Sequence, residues 1–325
     1  MSSPTIRRVA VIGAGVIGRS WMYLFARAGC QTNVYDADPK QSEKAIAWLH
    51  DELKLESEAH NAGDRPSDCA SLVTMQKSLE QALFDVRYVQ ESGPEQLERK
   101  QEMFRELDRS AAPDTVLASS TSTLDMSSIA TGLKGARRCI VAHPVNPPHV
   151  VPVVELLPGK QTSPDAVRQT QEFLTSIGQK PVLLLRYVHG FVLNRLQVAL
   201  IREAIDLVIQ GVADVDAVDA VVRDGLGLRW ALMGPFGVGN TNADGGLRDY
   251  FSRYRGALIG LMNDLGPTPS FESDQIERLG RATDEMLGGM PQTELLRWRD
   301  RMIQKLRLVK DADPGPARKK QTHAS

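Results

Sequence analysis

The stretch VAVIGAGVIG, Val9–Gly18, decides how this chain is read. A short apolar run enters Gly13-x-Gly15-x-x-Gly18, and a helical pattern, Val16–Ala28, continues to Gly29. A buried strand, a glycine turn and a helix in that order begin a βαβ unit. Each glycine has its own task. Gly13 makes the turn, Gly15 leaves room for a phosphate against the backbone, and Gly18 lets the helix lie close on the strand. The helix start at Val16 and Ile17 then faces that phosphate with its free N–H groups. A second strand, Gln31–Tyr35, ends at Asp36, at the spacing where a carboxylate takes the ribose hydroxyls of an adenosine. Its charge repels a 2′-phosphate, so the loop implies NAD rather than NADP.

The alternation continues outward. Pro39 to about Glu58 has helical spacing, with Ala45, Ile46, Leu49 and Leu53 on one face. Further strands are predicted at Val86–Gln90, Thr115–Ala118, Arg138–Ala142 and Val150–Leu157, and a charged helix at Gln96–Arg109. A polar connector, Glu58–Asp68, is expected to join two helices. After Gly190 strand signals vanish. Phe191–Ile209 is apolar on most faces and predicts a buried helix, covered by this chain or by another subunit. Gly211 stops it, and Asp214 is placed to cap the next helix. The fold class is therefore α/β: an N-terminal Rossmann doubly wound sheet followed by an all-α C-terminal domain. Residues 1–188 form the dinucleotide-binding domain, 189–310 the helical domain, and 311–325 a disordered tail.

Composition excludes several functions. The 325 residues carry a formal net charge of −1, so no basic field points to nucleic acid. The only dense basic stretch, Arg318-Lys319-Lys320, lies in the tail. No apolar run reaches the length of a membrane span, and no secretory pattern begins the chain. Three cysteines, Cys30, Cys69 and Cys139, have no metal-site or disulfide spacing, so no metal is expected and a cytoplasmic setting is implied.

A second stretch, AHPVNPPHVVPVVELLPG, Ala142–Gly159, puts a histidine at a strand end and a glutamate inside the next apolar run. Oxidising an alcohol with NAD requires a base for the hydroxyl proton, and histidine titrates in the right range. A carboxylate behind it orients the ring and stabilises the imidazolium. His143 and Glu155 can meet across the turn of Pro144, Pro147 and Pro148, where a doubly wound sheet binds ligands. The cluster Ser119–Thr123 and Asn194 offer a hydroxyl and an amide for the reacting oxygen. The same residues would also serve as a helix cap and a helix contact.

These motifs resemble the 3-hydroxyacyl-CoA dehydrogenase superfamily, nearest its lambda-crystallin/L-gulonate 3-dehydrogenase branch. The carrying stretches are GRSW after the glycine loop, IVAHPVNPP, GFVLNRLQ, DGLGLRW and TNADG. The resemblance implies His143 as base, Glu155 as its partner, and Ser122, Asn146 and Asn194 at the substrate. It implies Glu95 and Lys100 near the nicotinamide ribose, and a homodimer through the helical domain. Acyl-CoA members carry His-Phe-Phe-Asn-Pro where this chain has His-Pro-Val-Asn-Pro-Pro. With Arg229 in DGLGLRW offering a fork for a carboxylate, a small hydroxy acid such as L-gulonate is the expected substrate. A structural ion pair with Asp224 is the other reading of Arg229. The alternatives for the whole chain are a 3-hydroxyacyl-CoA, then L-carnitine, or a non-catalytic structural role.

Overall fold

The computed structural model describes residues 6–59, 69–313 and 315. The connector around residues 60–68, and the tail apart from Asp311–Asp313 and Gly315, lie outside the described residues. The chain divides into two compact units between Arg195 and Leu196.

The first unit is built on an eight-stranded sheet of order β3-β2-β1-β4-β5-β6-β7-β8. The strands are β1 (Arg8–Ile12), β2 (Gln31–Tyr35), β3 (Val73–Met75), β4 (Tyr88–Glu91), β5 (Val116–Ser119), β6 (Cys139–Pro144), β7 (Val153–Pro158) and β8 (Lys180–Leu183). All neighbours run parallel except β6 and β7. Strand side chains alternate between faces, and both faces are buried. Val9, Val11, Val116, Ala118, Ile140 and Ala142 pack on one side. Ala10, Ile12, Leu117, Cys139 and Val141 pack on the other. This double burial explains why the strands read as continuous apolar runs rather than alternating ones.

The helices α1 (Val16–Arg27), α2 (Pro39–Ala59), α3 (Leu79–Leu83), α4 (Leu97–Ser110), α5 (Met126–Ile129) and α6 (Pro164–Ser176) cover the sheet. Trp21, Phe25, Leu49 and Phe173 fill the face under α1, α2 and α6. Phe104, Leu107, Met126 and Ile129 fill the face under α4 and α5. Strand order reverses between β1 and β4, and this switch point opens a crevice at the carboxyl ends. Cys30 and Cys139 are buried, and burial pushes their thiols up to about 11 and about 12. They are packing residues, not nucleophiles.

The second unit contains most of α7 (Leu193–Ile209), then α8 (Val215–Ala220), a π-helical turn (Val221–Leu226), α9 (Gly227–Leu232), α10 (Pro235–Asn240), α11 (Gly246–Asp264), α12 (Ser273–Met286) and α13 (Gln292–Ala312). Asp214 accepts the Ala217 N–H at 2.8 Å and caps α8, as its residue type predicts. The expectation for Phe191–Ile209 needs two corrections. Helix α7 starts at Leu193, because Gly190 and Phe191 both take positive φ, 74° and 52°. Among the described residues it is also not buried: Leu196, Val198 and Ile201 are exposed, and Val208 is its buried residue. No residue of α11, α12 or α13 is buried either.

Candidate active site

The crevice begins with the glycine loop. Gly13 takes φ 93°, and a Cβ there would come within 2.8 Å of the Ser92 carbonyl carbon and oxygen. A Cβ on Gly18 would lie 1.8 Å from the Gly13 oxygen. The strand-to-helix turn therefore closes only with glycine at both places. Gly15 is different: nothing lies within 4 Å of its would-be Cβ. The space above Gly15 is open at the start of α1, where a pyrophosphate needs to reach the backbone.

Asp36 directly follows β2 and is tied down from both sides. It accepts the Ala14 N–H at 2.7 Å and the Asp38 N–H at 2.9 Å. Its carboxylate lines a groove of about 380 Å³ together with Ala37, Gly93, Pro94, Arg99 and Met103. A larger depression of about 910 Å³ lies at the amino ends of the strands, where Arg8 pairs with Asp85 and Arg87 with Asp114. Ligands of doubly wound sheets bind at the opposite ends, so that depression is not the site.

His143 sits on β6 directly opposite Glu155 on β7, in the antiparallel register. The ring Nδ1 lies 2.9 Å from Glu155 Oε2, and both side chains are buried. The other carboxylate oxygen, Oε1, accepts the Val192 and Leu193 N–H groups at 3.0 and 2.9 Å. Val192 immediately precedes α7 and Leu193 opens it, and the positive end of that helix favours a carboxylate. Burial raises the Glu155 carboxyl, but the His143 hydrogen bond and the two amides outweigh it and hold the group below the usual carboxylate range. An ionised Glu155 can only accept, so Nδ1 carries the hydrogen. Nε2 is then left with its lone pair, ready to take a proton. Phe191, fully buried, packs its ring on that of His143 at 5.5 Å between centroids. The positive φ at Phe191 thus both seats this ring and aims two amides at Glu155.

The remaining residues gather from neighbouring strand ends. Asn194 donates from Nδ2 to the Ser122 carbonyl oxygen at 3.3 Å, so α7 and the turn after β5 are joined beside His143. Ser122 follows β5 and is half-buried, and Asn146 is exposed in the loop between β6 and β7. Glu95 Oε1 accepts from Thr121 Oγ1 at 2.7 Å, from the Ser122 and Thr123 N–H groups at 2.8 and 3.0 Å, and from both their hydroxyls. Burial raises the Glu95 carboxyl, but those donors and the Lys100 charge prevail and lower it. Lys100 is itself buried, with Nζ 2.9 Å from Glu91 Oε1. Arg229 lies in the second unit and is exposed. Asp224 is paired with Arg223 at 2.8 Å rather than with Arg229.

Sequence reasoning passed over several contributors. Glu91 ends a buried strand, a place where a carboxylate demands a partner, and that signal was present in the YVQES run. Ser120 collects Trp21 Nε1 at 3.2 Å, Gln90 Nε2 at 2.8 Å and Ser92 Oγ at 2.9 Å. Gln90 also donates to the Ala142 oxygen, one residue from His143. His149 packs between Tyr23 and Trp48, 5.4 Å from each ring, and fastens the loop between β6 and β7 to α1 and α2.

Residues 8–187 match the 3-hydroxyacyl-CoA dehydrogenase NAD binding domain, and residues 190–264 match the C-terminal domain of the same family. Lambda-crystallin of Oryctolagus cuniculus is 37% identical over 314 residues, covering 95% of this chain and 98% of its own. L-carnitine dehydrogenase of Streptomyces coelicolor is 33% identical over 309 residues, covering 93% of this chain and 95% of its own. The solved structure of 5-formyl-3-hydroxy-2-methylpyridine 4-carboxylic acid 5-dehydrogenase, an NAD+-dependent dismutase, superposes with a TM-score of 0.77 at 26% identity, over 94% of this chain and 99% of that one. Glycine loop, paired imidazole and carboxylate, and two matched domains agree: the chain belongs to the 3-hydroxyacyl-CoA dehydrogenase family, in its lambda-crystallin branch, and is an NAD-dependent dehydrogenase acting on a CH–OH group.

Proposed function

We propose that this protein oxidises the 3-hydroxyl of a small hydroxy acid, L-gulonate to 3-dehydro-L-gulonate, with His143 as general base. The observation that carries the reading is the buried His143–Glu155 pair at 2.9 Å, with its carboxylate seated at the start of α7. The substrate hydroxyl proton goes to Nε2, and the ring becomes an imidazolium facing an ionised Glu155. Ser122 and Asn194 hold the reacting oxygen, and Asn146 contacts the rest of the acid. Bound NAD would supply the hydride acceptor for the carbon that bears the 3-hydroxyl. Val16, Ile17 and the glycines hold its pyrophosphate, and Asp36 its adenosine ribose, excluding a 2′-phosphate.

Arg229 anchors the substrate carboxylate. Support comes from Asp224, whose charge is already taken by Arg223, so the competing pair with Arg229 is not formed. A second copy of the chain covers the helical unit. Exposed Leu261, Met262, Leu306, Leu308 and Val309 lie on helices with no buried residue, an arrangement a soluble monomer rarely tolerates. Among the described residues no helix is long and apolar enough to cross a membrane. We place the protein in the cytoplasm, where its three free cysteines would stay reduced.

The identity with L-carnitine dehydrogenase supports a second reading, oxidation of carnitine. Tyr250 lies 5.6 Å from Phe251 and 5.2 Å from Tyr254 between centroids, and such a group attracts a trimethylammonium. NADH formation with L-gulonate, L-3-hydroxybutyrate, L-carnitine and 3-hydroxybutyryl-CoA separates these readings. L-gulonate is expected to give the highest kcat/KM. Arg229→Met is expected to raise KM for the acid by about 10- to 100-fold, the loss of a charged hydrogen-bonded pair, with NADH affinity unchanged. Preference for the thioester, with KM indifferent to Arg229, would reject the hydroxy acid.

A further inference from the structure

We propose that the π-helical turn Val221–Leu226 is a positioning device for substrate recognition: permitted by Gly227, it turns Arg229 by about 100° from the place an unbroken α-helix would give it. The inference rests on the reading that Arg229 meets the substrate carboxylate. Helix α8, the turn and α9 run on without a break, and Ala220 and Gly227 on either side of the turn keep right-handed helical angles. The Gly227 N–H donates to the Val222 carbonyl oxygen, five residues back rather than four. That bond encloses one residue more than an α-helical bond, so each residue of α9 takes the angular place of the residue before it. A Cβ on Gly227 would lie 2.9 Å from the same Val222 oxygen, and that neighbour is backbone. Gly225 has nothing within 4 Å of its would-be Cβ. The wide turn therefore demands glycine at 227 and not at 225.

Such turns are rare within helices and recur at functional sites. This one ends at Leu226, just ahead of Arg229, and neither the turn nor α9 has a buried residue. Core packing of the described residues therefore does not account for it. The charges of the turn pair with each other, Arg223 Nη2 with Asp224 Oδ2 at 2.8 Å, so Asp224 does not hold Arg229. Arg229 is exposed, and Leu228 beside it is 63% exposed. Side chains can be exchanged between these two positions without opening a core.

A register swap tests the device, with the thermal midpoint recorded for each protein. Leu228→Arg combined with Arg229→Leu keeps charge and composition and moves the guanidinium back by one place. The swap is expected to raise KM for L-gulonate by about tenfold or more, with kcat changed by less than about twofold. Gly227→Ala, which closes the wide turn toward an α-helix, should raise KM by a similar factor. Swap and Gly227→Ala together should compensate, returning KM to within about threefold of the unaltered protein. A regular helix carries position 228 where the wide turn carries 229. Gly225→Ala should leave KM unaltered. If Gly227→Ala fails to fold, the swap decides alone. A KM indifferent to the swap, additive losses in the combination, or an equal rise for Gly225→Ala would overturn the device, while a raised KM in Arg229→Met would still keep the anchor. An unimpaired Arg229→Met would remove the underlying reading as well.

Discussion

His143→Ala is expected to lower kcat by about a thousandfold, within the usual range for loss of a general base, while NADH still binds. In the proposed mechanism the side chain meets the reacting hydroxyl and not the glycine loop, so cofactor affinity has no reason to change. Glu155→Gln is expected to be nearly as damaging, for a reason the hydrogen bonds dictate. Glu155 Oε1 must accept two N–H groups at the start of α7, so the glutamine oxygen has to occupy that place. Its NH2 group then faces His143 Nδ1, which is forced to become the acceptor. The ring hydrogen moves to Nε2, where the base is needed, and the wrong tautomer is locked in. Steady-state kinetics with NADH fluorescence titration checks both variants. Glu155 is held ionised below the usual carboxylate range, so its charge should persist as pH falls through that range and be lost only lower. The negative charge behind the imidazole therefore outlasts the usual carboxylate range on acidification.

Gly18→Ala should weaken NADH binding by about two orders of magnitude and lower the thermal midpoint as well. A methyl group 1.8 Å from the Gly13 oxygen cannot be absorbed by a flexible neighbour, because that neighbour is backbone. The helix must retreat from the strand, and overpacking of this kind costs about 1–3 kcal/mol in stability alone. Gly15→Ala makes the informative contrast. Its methyl group meets nothing within 4 Å in the protein, and Gly15 has an ordinary φ of −65°. It should leave the midpoint unaltered and still weaken NADH binding, because it fills the space above the loop. Calorimetry and cofactor titration on the two variants separate closure of the turn from room for the phosphate. Equal loss of stability in both would show that Gly15 is needed for folding and not for a ligand.

The sequence disclosed what is local and withheld what is not. The β1–α1–β2 unit was legible because strand, glycines, helix and Asp36 lie within one short stretch. The His143–Glu155 pair was legible because the proline turn lets its two strands return on themselves, and the observed register sets the residues opposite each other. Strand β3 and helix α3, of 3 and 5 residues, are too short to show a period. Helix α6 and strand β8 were passed over although the signal was present: Ser163 caps α6, with Pro164 in its first turn. The apolar surface of α7 was read as needing cover by this chain or another subunit, and among the described residues Leu196, Val198 and Ile201 stay exposed. Glu95 and Lys100 were placed near the nicotinamide ribose by the family resemblance alone, and Glu91 was not singled out. Only the burial of β4 to its last residue shows that Glu91 must find a cation.

The measurement that bears most directly on the central claim is a structure of the protein with NADH and a hydroxy acid bound. His143 Nε2 should lie within about 3.2 Å of the substrate oxygen, with Nδ1 still on Glu155 and Ser122 at the same oxygen. An imidazole turned away from the substrate carbon, with another side chain in hydrogen-bond reach of its hydroxyl, would contradict the account.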